Sequence, residues 1–114
     1  MTLELADLET LKDAAIKKFD DSLAHGSTDE PLDRDVAQLQ AELEQIYRVV
    51  VLLQKNEPNM ERVAEIWAKM VAICDEFAAR LSGFASRPAY RASCDRILDL
   101  RNAAEERQRL HSPA

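Results

Sequence analysis

Residues 45–58 read QIYRVVVLLQKNEP, with eight nearly unbroken apolar positions from Ile46 to Leu53 around one arginine, Arg48. Such a run fits a buried strand, part of a membrane span, or a helix with more apolar surface than one core face needs. The residues before it decide. Leu32, Val36, Leu39, Leu43, Ile46, Val50 and Leu53 recur at alternating steps of four and three, the seam of an amphipathic helix. Because that phase passes through IYRVVVLL unbroken, the β-branched run continues a helix, and β propensity yields to context. Eight residues cannot cross a bilayer, so a membrane span is excluded for this stretch.

The neighbouring segments carry the same period. Leu5, Leu8, Ala15, Ile16, Phe19 and Leu23, with Leu11 at the margin, predict a first helix over about 2–25, capped near Thr2 and ended by Gly26. The second helix, about 29–56, opens at STDEPLDRD, where Thr28 or Asp29 can cap and Pro31 suits a first turn. A third, about 59–82, starts after NEPN with Asn56 or Asn59 as cap and ends at Gly83. Its seam is Met60, Val63, Trp67, Met70, Cys74, Phe77 and Leu81. Ala64, Ile66, Val71, Ile73 and Ala78 widen the apolar sector, so this helix is expected to be the most buried. The fourth, about 87–110, follows Ser86 and Pro88 with Tyr90, Cys94, Ile97, Leu98, Leu100 and Ala104. Beyond Ala104 the apolar face is lost, and the tail is expected to fray.

Short connections force neighbouring helices to run antiparallel. The prediction is an all-α, antiparallel up-down-up-down four-helix bundle made of one domain, 1–114. In it, helix 4 lies beside helix 1, and Trp67 sits level with Tyr47 and opposite Ala103 and Ala104.

The 114 residues hold 21 acids and 15 bases, a net charge of −6. That balance argues against general nucleic-acid binding, which depends on lysine and arginine neutralising phosphates. The start, MTLELADLETLK, has no cationic and apolar leader pattern, and Cys74 and Cys94 have no framework spacing. Both features point to the cytoplasm and to reduced thiols. Residues 1–57 carry 13 acids against 6 bases, whereas 58–114 carry 8 against 9. Arginine pairing between helix 4 and helix 1 is the simple account of that asymmetry. An acidic face docking on a basic partner is the sharper one.

Chemistry-bearing patterns are few. Cys74 and Cys94 are expected at similar height on adjacent helices as small core residues. His25 and His111 stand at opposite ends of the bundle, leaving no zinc ligand set and no Ser-His-Asp or Cys-His arrangement. No Glu-x-x-His pair and no phosphate loop occurs, so no cofactor or metal is expected. His25, at a helix end before Gly26, does not match the mid-helix phosphoacceptor of histidine phosphotransfer domains. Arg107 and His111 resemble the Arg-x(4–6)-His signature of HEPN ribonucleases. The gap here is three residues, so the signature is not met, and a ribonuclease is kept as a remote alternative.

Lys12 and Arg101 fall on apolar faces at similar heights. Each needs an internal acid, a route outwards for its head group, or a bound anion. They define an alternative function, an anion-binding or small-metabolite bundle. The leading expectation comes from surplus apolar surface. Tyr47, Val51 and Leu52 flank or leave the seam with Arg48 outermost, and Ile66 and Ile73 add to them on helix 3. A polar-rimmed apolar patch of this kind fits a protein interface. The expected function is therefore a small non-enzymatic interaction protein that forms a homodimer or binds a protein partner, of adaptor, chaperone or regulatory type.

Overall fold

The computed structural model of the protein describes residues 5–25, 33–84 and 87–111. Four helices account for nearly all of them: α1 (Leu5–His25), α2 (Asp33–Asn56), α3 (Met60–Leu81) and α4 (Pro88–His111), with a single 3-10 turn at Ser82–Phe84. The fold is all-α and no described residue lies in a strand. No helix among them is long and apolar enough to cross a membrane. The caps expected at Thr2, Gly26, Thr28, Asp29, Pro31 and Ser86, and the seam position Leu32, lie outside the described residues.

The α2–α3 turn is built as its residues demand. Asn59 takes an extended conformation, φ −92° and ψ 115°, and its side-chain oxygen accepts the Glu61 N–H at 2.9 Å. That satisfies one of the first-turn donors that a helix leaves without an internal partner. The other end of α3 stops at Leu81, just before Gly83 as expected, and Gly83 does not adopt a left-handed conformation. The chain tightens instead into the 3-10 turn, and the Ser82 hydroxyl donates to the Ala79 carbonyl at 3.0 Å.

Ion pairs give the directions of the helices. Arg101 of α4 meets Asp75 of α3 at 3.0 Å while Arg107 lies over Trp67, so these two helices are antiparallel. Arg96 of α4 reaches Glu44 of α2 at 2.9 Å, and Lys12 of α1 reaches Glu76 of α3 at 2.9 Å, on neighbours that run parallel. This is up-down-up-down topology with an unequal cross-section. No α1 Cα comes within 8 Å of an α4 Cα among the described residues. The helices form a flattened rhombus, with α2 and α3 across its short diagonal and α1 and α4 at its far corners. Its extents are 49 × 30 × 15 Å. Helix 4 therefore does not lie beside helix 1 as expected.

The breadth of the apolar sector on α3 accounts for this shape. Val63, Ala64, Ile66, Trp67, Met70, Ile73, Cys74, Phe77 and Leu81 are all buried, more than one or two partners cover. Helix α3 accordingly contacts all three other helices. Ile66 and Ile73 are only 5% and 1% exposed, which overturns their expected place on the surface. They share a helical stripe with Lys69, Glu76 and Arg80, which pair with Glu9, Lys12 and Asp20 of α1, so α1 covers them.

The α2 seam is as read: Val36, Leu39, Leu43, Ile46 and Val50 are buried, and Leu53 is partly so. Three other expectations change. Met60 is exposed, because it is the first residue of α3 at the end of the bundle. Leu98 is exposed, because α4 has no helix on its third side. The end of α4 does not fray before 110 but stays helical to His111, with the Arg107 guanidinium 5.3 Å from the Trp67 ring centre.

Candidate interaction surface

Two cations were expected to need anions, and both find them inside the chain. Lys12 is 7% exposed. Its ammonium group contacts Glu9, Asp13 at 3.1 Å and Glu76 at 2.9 Å, a partner for each of its three donors. These hydrogen bonds, led by that to Glu9, raise the Lys12 pKa above its ordinary value of 10.5. Glu9 also meets Lys69, and the two ammonium groups, Lys12 first, lower its carboxyl from 4.5 to about 2. Arg101 is held by Asp75 and by Glu105 one turn along α4, with Asp75 the main cause of its upward shift. The expected anion site is thus filled by the carboxylates of the protein. Lys12 and Arg101 are drawn to the adjacent residues Glu76 and Asp75, one towards α1 and the other towards α4.

The remaining chemistry-bearing residues also have structural partners. Arg107 caps the Trp67 ring, and His111 Nδ1 sits 2.7 Å from the Arg107 carbonyl oxygen. The arrangement serves the end of α4. Cys74 and Cys94 are free thiols. Burial pushes the Cys74 thiol up to about 12, and burial likewise raises Cys94, so neither is an activated nucleophile. Among the described residues no His, Cys, Asp and Glu cluster has the makings of a metal site.

The predicted interface residues divide. Tyr47 and Val51 are half-buried against the core, and the Tyr47 ring packs 5.3 Å from Trp67 at an interplanar angle of 59°. Trp67 is fully buried, and its indole N–H donates to Gln54 Oε1 at 3.0 Å. These aromatic contacts hold α2 to α3. Arg48 and Leu52 do face outwards: Arg48 donates to Gln45 at 2.8 Å, and Leu52 is 50% exposed. Between Tyr47 and Arg48 on α2 and Asp99 and Leu100 on α4 lies a depression of about 240 Å³, bridged by the Arg96–Glu44 pair.

A more apolar feature lies on the opposite flank of α2 and went unrecognised in the sequence. Helices α1 and α2 leave a trench of about 320 Å³ lined by Leu11, Ala14, Ala15, Ile46 and Val49, with Lys18, Glu42 and Gln45 on its rim. Lys18 and Glu42 face each other across it at 3.7 Å. The trench continues towards Ser22, Asp35 and Gln38. Small side chains create it, since Ala14 and Ala15 stand opposite the larger Ile46 and Val49. Leu52 lies one turn beyond Val49 along α2, and Leu11 is 40% exposed at the wall. The marginal position of Leu11 was the available signal. Its meaning depended on α4 being absent from that side of α1. No protein-family model, no curated protein and no solved structure matches the chain.

Proposed function

We propose that the chain is a small non-enzymatic interaction protein of the cytoplasm, which associates with itself or binds a protein partner in an adaptor, chaperone or regulatory role. One observation carries this reading: on the outer side of the α1–α2 hairpin exposed Leu11 lines an apolar trench rimmed by Lys18, Glu42 and Gln45, and exposed Leu52 follows one turn after Val49 along α2. Single exposed aliphatics are ordinary. Aliphatics that border an apolar trench inside a charged surface are the usual anatomy of a partner site. The interface residues kept from the sequence are Arg48 and Leu52, with Tyr47 and Val51 supporting them from below.

Absolute mass by size-exclusion light scattering, compared between the native chain and Leu52→Glu, tests the reading. A native oligomer that the substitution dissociates, or a captured partner that it releases while helicity is unchanged, supports it. A monomer that captures the same proteins with and without the substitution sinks it.

A further inference from the structure

Four charged side chains line the depression between α2 and α4: Glu44 and Arg48 on α2, Arg96 and Asp99 on α4. Arg96 and Glu44 pair across it at 2.9 Å. The other two have no such partner. Among the described residues Arg48 bonds only to the neutral side chain of Gln45, and Asp99 has no ion pair, although both are exposed. The division extends along each helix. Lys55, two turns after Arg48 on α2, and Asp95, one turn before Asp99 on α4, are likewise exposed and without an ion pair among the described residues. The outer ridge of α2 thus keeps free cations and the outer ridge of α4 free anions.

Helices α2 and α4 run parallel, and the Glu44–Arg96 pair sets residue 96 about level with residue 44. Asp99 is then level with residue 47, one position from Arg48. A two-fold axis through the depression, normal to its face, lays α2 of one copy over α4 of the other in antiparallel sense. With that axis midway between Arg48 and Asp99, Arg48 of each copy meets Asp99 of the other. The same rotation brings Lys55 to within about three residues of Asp95, about 4.5 Å along the helix, which a lysine side chain spans. The apolar lining of Tyr47, Leu100 and Ala103 falls near the axis.

We infer that the α2–α4 face is where two copies of this chain meet, as a symmetric dimer held by two Arg48–Asp99 pairs. The inference rests on the proposed interaction role and names the partner. Charge selects a second copy over other occupants. The depression holds two acids and two bases, so its net charge draws in neither an anion nor a charged peptide. Copies carrying −6 repel one another in general and approach best where local charge cancels and unlike charges face. The two helices overlap their symmetry mates for about 20 residues, about 30 Å, and are about 20 Å across, so the contact covers about 600 Å² per copy. That is the lower end for a specific interface, and a reversible dimer is expected.

The test measures absolute mass by light scattering over a concentration series, for the full chain and for Arg48→Glu and Asp99→Arg, each alone and then mixed. The native chain is expected to reach twice its 12.9 kDa, less readily at high salt. Arg48→Glu sets acid against acid at both pairs, and Asp99→Arg sets base against base. Each variant alone is expected to dimerise about tenfold more weakly or worse. Mixed in equal amounts, the two restore unlike charges at both pairs, and a mixed dimer is expected. A pair formed within one chain gives no such recovery. Both positions are exposed, so folding is retained, as circular dichroism checks. Lys17→Glu makes the same change of net charge on α1 as Arg48→Glu makes on α2 and is expected to leave the dimer unchanged.

A native chain that is monomeric at every concentration, a dimer that both charge variants leave intact, or variants that dissociate without recovering on mixing would each overturn the inference. The capture measurement with Leu52→Glu separates the two levels. If the native chain is monomeric but captures a partner that Leu52→Glu releases, only the dimer falls. If a dimer persists in both charge variants, self-association stands but uses another face. If the chain is monomeric and Leu52→Glu leaves capture unchanged, the interaction role falls with the dimer.

Discussion

Replacing Lys12 by methionine probes the buried cation directly. The side chain is 8% exposed, yet its three carboxylate partners, on Glu9, Asp13 and Glu76, are 40%, 67% and 51% exposed. Contacts to carboxylates that stay in water contribute about 0–1 kcal/mol each. Removing an ammonium group from water costs several kcal/mol, so gain and cost nearly cancel. Methionine keeps the length and apolar packing of the stem without the charge. Lys12→Met is therefore expected within about 1 kcal/mol of the native chain, or more stable, as found when buried ion pairs give way to well-packed apolar groups. Lys12→Ala also removes the charge but deletes about three methylene equivalents. At about 0.8 kcal/mol for each, it falls about 2 kcal/mol below Lys12→Met. For a domain of this size that separates their melting temperatures by about 8 °C.

Thermal denaturation by circular dichroism at pH 7, with urea titration as a check, measures both variants. A loss above about 2 kcal/mol in Lys12→Met, or equal stability of the methionine and alanine variants, would refute the reasoning, because the charge would then matter more than the stem. The pH dependence has a definite sign. Glu9 is lowered from 4.5 to about 2, so its contribution is present above pH 4.5 and is lost as pH falls towards 2. In Lys12→Met only Lys69 remains beside Glu9, and the acid-side loss is expected to shrink. Lys12 is raised, so its contribution is present below about pH 10.5 and is lost as pH rises further. Phosphate and sulfate are expected to leave the native melting temperature unchanged. A rise abolished by Lys12→Met would restore the anion-binding alternative.

The chain has one tryptophan, so fluorescence reads its core without ambiguity. Trp67→Phe leaves Gln54 without its indole donor and opens space beside Tyr47, at an expected cost of about 1–3 kcal/mol in urea unfolding. Arg107→Gln should remove a cation–π contact of about 0.5–1 kcal/mol and speed amide exchange in the last turn of α4; unchanged exchange there would mean that Arg107 does not hold the helix end. Asn59→Ala removes the cap of α3 and is expected to cost about 1 kcal/mol, checked by its denaturation midpoint. With a thiol reagent at pH 8, half-buried Cys94 should react well before Cys74, whose thiol stays protonated and enclosed; mass mapping of the labelled peptides gives the order.

Periodicity made most of the secondary structure legible. The four–three spacing from Val36 to Leu53 specifies α2 through a β-branched run, because an amphipathic helix must turn one stripe inward whatever the local propensity. Asn59 marks its cap by chemistry alone, and the level of Trp67 with Tyr47 follows from counting back from a short turn. The same counting could not choose neighbours. A heptad seam gives the direction in which a helix is apolar, and the breadth of that sector sets how many partners it can take, but not which ones. The breadth of α3 drew three helices around it, which buried Ile66 and Ile73 and moved α1 away from α4. From that displacement follow the pairing of Lys12 with Glu76, the pairing of Arg101 with Asp75, and the open trench beside Leu11 and Val49. By itself the sequence determined the number, phase and direction of the helices, because these depend on contacts close along the chain. Which cations are neutralised and which apolar surface stays open was decided only by the tertiary structure, because those outcomes depend on side chains up to several helices apart competing for the same faces.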